Sequence, residues 1–161
     1  MRKNQKGFSL IELLIVVAII LIIAAIAIPN LLRSKMAANE SSSVGSLRTL
    51  NTACVTYSST YGVGYPTALA QLGPCGAAGC VPTTALADLV DSVLSAGVKS
   101  GYKFTYASPG SSGGAAGTTY NINANPVTVG STGQRYFYTN ESAVIRFDTA
   151  AAATAASAPI Q

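Results

Sequence analysis

Polar and apolar positions divide this chain into three zones. In the first, residues 8–28, only Ser9 and Glu12 interrupt an apolar run, and residues 13–28 carry no polar side chain. As a helix these 21 residues rise about 31 Å at about 1.5 Å each. That matches a bilayer hydrocarbon core of about 30 Å. Fifteen of the 21 are Leu, Ile, Val or Phe, which favours insertion by about 5 to 9 kcal/mol on a translocon scale. A carboxylate costs about 3 kcal/mol even at the helix centre, and Glu12 lies near the end. The zone predicts a membrane-inserted helix that tolerates Glu12.

In the second zone, beyond Pro29, apolar residues recur every three or four positions at Val44, Leu47, Leu50, Cys54, Tyr57 and Tyr61. Glu40, Ser42, Ser46, Arg48 and Thr49 occupy the other face. This spacing predicts an amphipathic helix continuous with the first, spanning residues 9–60. A kink is expected near Ile28 and Pro29, because proline has no N–H and disfavours helical geometry in its predecessor. Gly62, Gly64 and Pro66 end the helix. Residues 62–84 read as a loop with a short apolar patch at Leu69 and Leu72. Leu86, Leu89, Val90, Val93 and Leu94 then predict a short helix, with Thr84 as N-cap and Gly97 as its stop.

In the third zone the period changes to two. Tyr102, Phe104 and Tyr106 alternate with polar residues, as do Tyr120, Ile122 and Ala124. Residues 135–139 and 144–147 are rich in aromatic and β-branched side chains. The Ser/Gly/Ala connector at 108–117 reads as a hairpin loop and Asn140-Glu141-Ser142 as a turn. The fold class is α+β, with one long helix covering a face of a four-stranded antiparallel meander. The tail, residues 149–161, has nothing obvious to bury.

Charge changes this picture little. The chain of 161 residues carries a formal +4, but Arg2, Lys3 and Lys6 precede the apolar run, and the remainder has 7 Lys and Arg against 6 Asp and Glu. The basic excess thus reports topology, with the leader on the cytoplasmic side, and speaks against a nucleic-acid surface. Lys99, Lys103 and Arg135 are the only candidates for a basic groove. Histidine is absent, which weakens zinc and Cys–His nucleophile readings. Asp88 and Asp91 are the only close acidic pair and read as the solvated face of the short helix. Gly110, Gly113, Gly114 and Gly117 open no helix, so a nucleotide loop fails on context. The residues point to no enzyme, cofactor or metal. Three cysteines suggest one disulfide and one leftover thiol. The local pair Cys75–Cys80 is preferred, with Cys54 as a buried small hydrophobe. A bridge from Cys54 to either loop cysteine is the alternative.

The string GFSLIELLIVVAII followed by AAIAIP resembles the N-terminus of type IV pilins and pseudopilins. The resemblance covers about 30 of 161 residues. It implies that a membrane peptidase cuts after Gly7 and N-methylates Phe8, and that Glu12 and Pro29 are the family's assembly residues. It also implies the pilin fold and three segments: a cleaved leader (1–7), a transmembrane and filament-core helix (8–29) and a globular head (30–161). An ordinary secretory signal could be cut after Ala25-Ile26-Ala27, but its apolar core would be about 7 to 15 residues long and would not need Glu12. An uncleaved anchor would not need Gly7, Phe8 and Glu12 together.

Cutting after Gly7 frees a cationic amine on Phe8, and pairing it with Glu12 offsets the cost of holding either group in apolar surroundings. The resemblance favours a pair between subunits, which would set their axial register. Lateral packing of the helices would then build an open helical homopolymer, since a heterologous contact need not close. The expected function is a structural subunit of a type IV pilus. Its precursor would cross the inner membrane once, and its partners would be the prepilin peptidase and the pilus assembly machinery. The alternatives are a type II secretion pseudopilin or a minor pilin that binds DNA or a surface. Major pseudopilins often place acidic calcium ligands near the C-terminus, where this chain has only Glu141 and Asp148.

Overall fold

The computed structural model describes residues 8–76, 79–109 and 117–160. By internal packing the chain divides into two units, residues 1–35 and 36–161. The first helix, α1 (Leu10–Tyr61), contributes to both. It begins and ends within one residue of the expected span.

In the first unit, Ser9 caps α1. Its carbonyl accepts the Leu13 N–H at 3.2 Å, and the Glu12 carboxylate takes the Ser9 N–H at 2.9 Å. This is one half of a capping box, with the acid three residues into the helix. Pro29 lies inside the helix. Having no N–H, it leaves the Ala25 carbonyl without its usual partner.

The second unit is an α+β layer pair. Leu47, Leu50, Ala53, Cys54 and Tyr57 of α1 are buried against Tyr102, Phe104, Tyr120, Ile122, Ala124 and Phe137 of the sheet. The periods meet as expected, every third or fourth residue from the helix and every second from the strands. The sheet is an antiparallel meander in sequence order, β1 (Val98–Lys99), β2 (Tyr102–Ala107), β3 (Asn121–Pro126), β4 (Tyr136–Asn140), β5 (Arg146–Asp148) and β6 (Ala158–Pro159). The four expected strands are β2 to β5, and the sheet has six. Strand β1 is created by its turn. Lys99 pairs with Tyr102 across Ser100 and Gly101, whose φ values of 50° and 72° make a two-residue hairpin of the type that follows the sheet's twist.

The tail is held where none of its residues promised burial. Ala153 is buried, and its carbonyl accepts from Asn123 Nδ2 on the side of β3 away from the core at 2.8 Å. Arg146 donates to the Ser157 carbonyl at 2.9 Å. Strand β6 adds to the sheet edge, and Ile160 N–H reaches the Ile145 carbonyl at 2.9 Å. The tail is tied mainly through its backbone, which hydropathy does not report.

The expected helix over residues 86–94 is also corrected. Only α2 (Ser92–Ser95) is helical, and its N-cap is Asp91, whose side chain accepts the Leu94 N–H at 2.9 Å. The preceding N–H groups are taken elsewhere. Ala87, Asp88, Leu89 and Val90 donate to carbonyls of Gln71, Gly73 and Leu72, just beside the 3-10 turn Leu69–Leu72. Asp88 takes a left-handed φ of 54°, which a helix cannot contain. Leu69, Leu72, Ala87, Val90 and Leu94 enter the core, while Leu86 and Val93 stay exposed. Thr84, the expected cap, instead offers its carbonyl to the Tyr57 hydroxyl at 2.7 Å.

Candidate functional site

In the first unit the candidate is the N-terminal stretch of α1. Gly7, one side of the expected cleavage junction, lies outside the described residues; Phe8, the other side, is exposed. Every large apolar side chain from Leu10 to Leu32 is likewise exposed. The helix is long and apolar enough to cross a membrane, and none of its most apolar window is buried within the chain. So large an unpaired apolar stripe demands lipid or other copies of itself. Glu12 is the single carboxylate in that stripe, and here it serves its own helix by holding the Ser9 N–H.

Within the second unit, α1 is bound to the sheet by polar groups that hydropathy alone misassigns. Glu40 was expected on the solvated face and is buried. Its Oε1 accepts the backbone N–H groups of Gln134 at 2.9 Å and Arg135 at 3.2 Å. Its Oε2 takes the Arg135 Nε–H at 2.7 Å. Burial of Glu40 raises its pKa, but these three donors and the guanidinium charge together hold it below the ordinary carboxylate value. The Arg135 guanidinium lies over the rings of Phe137 at 5.5 Å and Phe147 at 5.7 Å. Asn39, the residue before Glu40, donates from Nδ2 to the Thr132 carbonyl at 2.9 Å. Deeper in the core, Asn51 Nδ2 donates to the Thr139 hydroxyl at 2.9 Å, and Asn51 Oδ1 accepts from the Tyr120 hydroxyl at 3.1 Å. No local pattern announces these hydrogen bonds, since each joins residues more than 60 positions apart.

The basic candidates do not gather. Lys99 pairs with Asp91 at 3.0 Å and Arg135 with Glu40. Lys99 stands opposite Tyr102, so successive β2 residues put it and Lys103 on opposite faces of the sheet. Asp88 and Asp91 do not form a solvated helix face, because Asp91 caps α2 while also holding Lys99. Cys75 and Cys80 are joined in a disulfide with Cα atoms 6.0 Å apart. Cys54 is a free thiol buried in the core, its pKa pushed up to about 12 by burial.

An α+β unit in a chain whose N-terminal helix is long, apolar and exposed, with one carboxylate five residues into that run, defines the class of protein to compare. The family profile described as the prokaryotic N-terminal methylation motif matches residues 2–28. The chain is 63% identical over 38 residues to the type IV wide pilus major component PilA4 of Thermus thermophilus, covering 24% of this chain and 29% of that one. It is 50% identical over 58 residues to the type IV major fimbrial protein FimA of Dichelobacter nodosus, covering 34% and 37%. Against the type IV major pilin protein PilA of Myxococcus xanthus it is 50% identical over 50 residues, covering 31% and 23%. The N-terminal segment of this chain is thus similar to those of type IV major pilin and fimbrial proteins. The matches span between 23% and 37% of the lengths of these relatives. No solved structure matches the chain.

Proposed function

We propose that this chain is a structural subunit of a type IV pilus. The observation that carries the reading is the apolar stretch of α1, exposed along its length, interrupted by Glu12 and lying inside the methylation motif at residues 2–28. The relatives that share this stretch are named as major pilin or fimbrial components. In this reading a prepilin peptidase removes residues 1–7 and methylates Phe8, residues 8–29 form the filament core, and residues 30–161 form the head. The precursor crosses the inner membrane once with its N-terminus in the cytoplasm, and the assembly machinery extracts it into an extracellular homopolymer.

Glu12 has two roles in sequence. Before cleavage its carboxylate holds the Ser9 N–H and closes the first turn. After cleavage the cationic amine of a neighbouring Phe8 competes for it, and a charge-assisted bond outweighs one to a neutral amide. Docking then trades a local cap for a contact between subunits. The pseudopilin alternative gains little support, because no group of three His, Cys, Asp or Glu side chains gathers among the described residues. The test is the N-terminus of the subunit in shed surface fibres. Intact-mass analysis should give a chain starting at monomethylated Phe8. A mature start at Ile28, or fibres built from another protein, would refute the proposal.

A further inference from the structure

The tripeptide Asn-Glu-Ser occurs twice, at residues 39–41 and 140–142, and no other asparagine in the chain has Ser or Thr two positions on. Asparagine followed at that distance by a hydroxyl is the acceptor pattern for N-linked glycans, because the transferring enzyme reads the hydroxyl while the side-chain amide reacts. The two copies sit in opposite circumstances. Asn39 lies within α1, and its Nδ2 already donates to the Thr132 carbonyl at 2.9 Å. Its neighbour Glu40 is buried and holds three donors from the β3–β4 connection. An enzyme could engage this tripeptide only by unwinding the helix and breaking those bonds.

Asn140 is the last residue of β4, and Glu141, Ser142 and Ala143 behind it are exposed. The chain turns there, with Ala143 N–H on the Asn140 carbonyl at 2.8 Å and Ala143 at a φ of 58°. Asn140 Oδ1 accepts the Ser142 N–H at 3.2 Å and the Ser142 hydroxyl at 2.6 Å. Among the described residues none accepts from Asn140 Nδ2. Two donors on the amide oxygen draw charge towards it and make the Nδ2 protons more acidic. The nitrogen that must react is therefore both unengaged and activated, beside an exposed hydroxyl.

We propose that Asn140 is an N-glycan acceptor and that Asn39, in the same tripeptide, is not. The donor is an oligosaccharide carried on a lipid pyrophosphate. Asn140 Nδ2 bonds to the anomeric carbon of the first sugar, whose bond to the pyrophosphate oxygen breaks. The pyrophosphate leaves with that electron pair, and the Nδ2 proton passes to a carboxylate base of the transferase. The inference rests on the reading above only in requiring that the head is exported.

The test uses the full chain from its native host, isolated from membranes and from fibres. Trypsin releases Asn140 within residues 136–146 and Asn39 within residues 36–48. The first peptide should carry hexose or acetylhexosamine mass, and peptide-N-glycosidase should remove it while converting Asn140 to Asp. The second should be unmodified. Asn140→Gln and Ser142→Ala should abolish the added mass, and Ser142→Thr should retain it, which separates acceptor chemistry from any disturbance of the turn. An unmodified 136–146 peptide, sugar on Ser142 instead, or a glycan on Asn39 would each overturn the inference. A membrane fraction with modified Asn140 but no fibres would sink the pilus reading and leave this one standing.

Discussion

Replacing Glu40 by Ala measures how firmly α1 is tied to the sheet within residues 36–161. The substitution orphans the Gln134 and Arg135 N–H groups and leaves the Arg135 guanidinium unpaired. Removing one member of a fully buried ion pair costs about 3 to 5 kcal/mol. Here the Glu40 side chain is 10% exposed but that of Arg135 is 41% exposed, so water recovers much of the guanidinium's loss. The two amides are worth roughly 1 kcal/mol each. The expected loss for Glu40→Ala is about 2 to 3 kcal/mol, which for a head of this size lowers Tm by roughly 6 to 12 °C. Glu40→Gln keeps one acceptor oxygen for the amides and loses the charge, so it should cost about half as much. The pH dependence has a definite sign. The folded-state pKa of Glu40 lies below the ordinary carboxylate value, so its contribution is complete above that ordinary value and declines as pH falls through the folded pKa. The gap between wild type and Glu40→Gln should therefore be constant near neutrality and shrink in acid. Denaturant and thermal unfolding of the detergent-solubilised chain, followed by circular dichroism from pH 3 to 7, provide the assay. If Glu40→Ala unfolds within about 0.5 kcal/mol of wild type, or if the gap to Glu40→Gln widens in acid, the latch does not carry the load assigned to it.

Glu12→Ala should leave membrane insertion and cleavage after Gly7 intact while surface fibres largely disappear, with processed subunit accumulating in the membrane; normal fibre numbers would exclude the carboxylate from assembly. Asn51→Ala strands the Thr139 and Tyr120 hydroxyls in the core and should destabilise the head by about 2 to 3 kcal/mol, whereas loss of less than about 1 kcal/mol in urea unfolding would show that water replaces the amide. With its pKa pushed up to about 12, the Cys54 thiol should resist iodoacetamide at pH 8 in the native chain and react promptly in denaturant. Equal labelling rates in both states would mean that the helix opens around it.

What the sequence determined by itself is whatever depends on neighbours along the chain. The helix over 9–60 was legible to within one residue of α1 because more than 50 residues of unbroken apolar run and then three-to-four spacing leave no other structure that buries one face. Strands β2 to β5 were legible because alternation separates Tyr102 and Phe104, or Ile122 and Ala124, from polar neighbours. The junction at Gly7 and Phe8, the single carboxylate at Glu12 and the proline at 29 are local patterns too. The preferred Cys75–Cys80 pair needed only a short flexible ring, and the structure forms it.

Tertiary structure decided the rest. Leu86 to Leu94 have good helical spacing, yet the N–H groups of Ala87 to Val90 found nearer acceptors at Gln71, Leu72 and Gly73, so only Ser92–Ser95 closed into a helix. Strands β1 and β6 are two residues each, too short to show a period, and exist because β2 and β5 present unpaired edges beside them. The tail was bound through carbonyls at Ala153 and Ser157, groups that every residue has and no hydropathy pattern distinguishes. Glu40 looked like a solvated helix residue because local spacing cannot see Arg135, 95 positions away. The same blindness covers the two Asn-Glu-Ser tripeptides, which are identical as sequence. Only the fold places one in a helix with its amide engaged and the other in an exposed turn, because burial and hydrogen bonding are set by what lies across space.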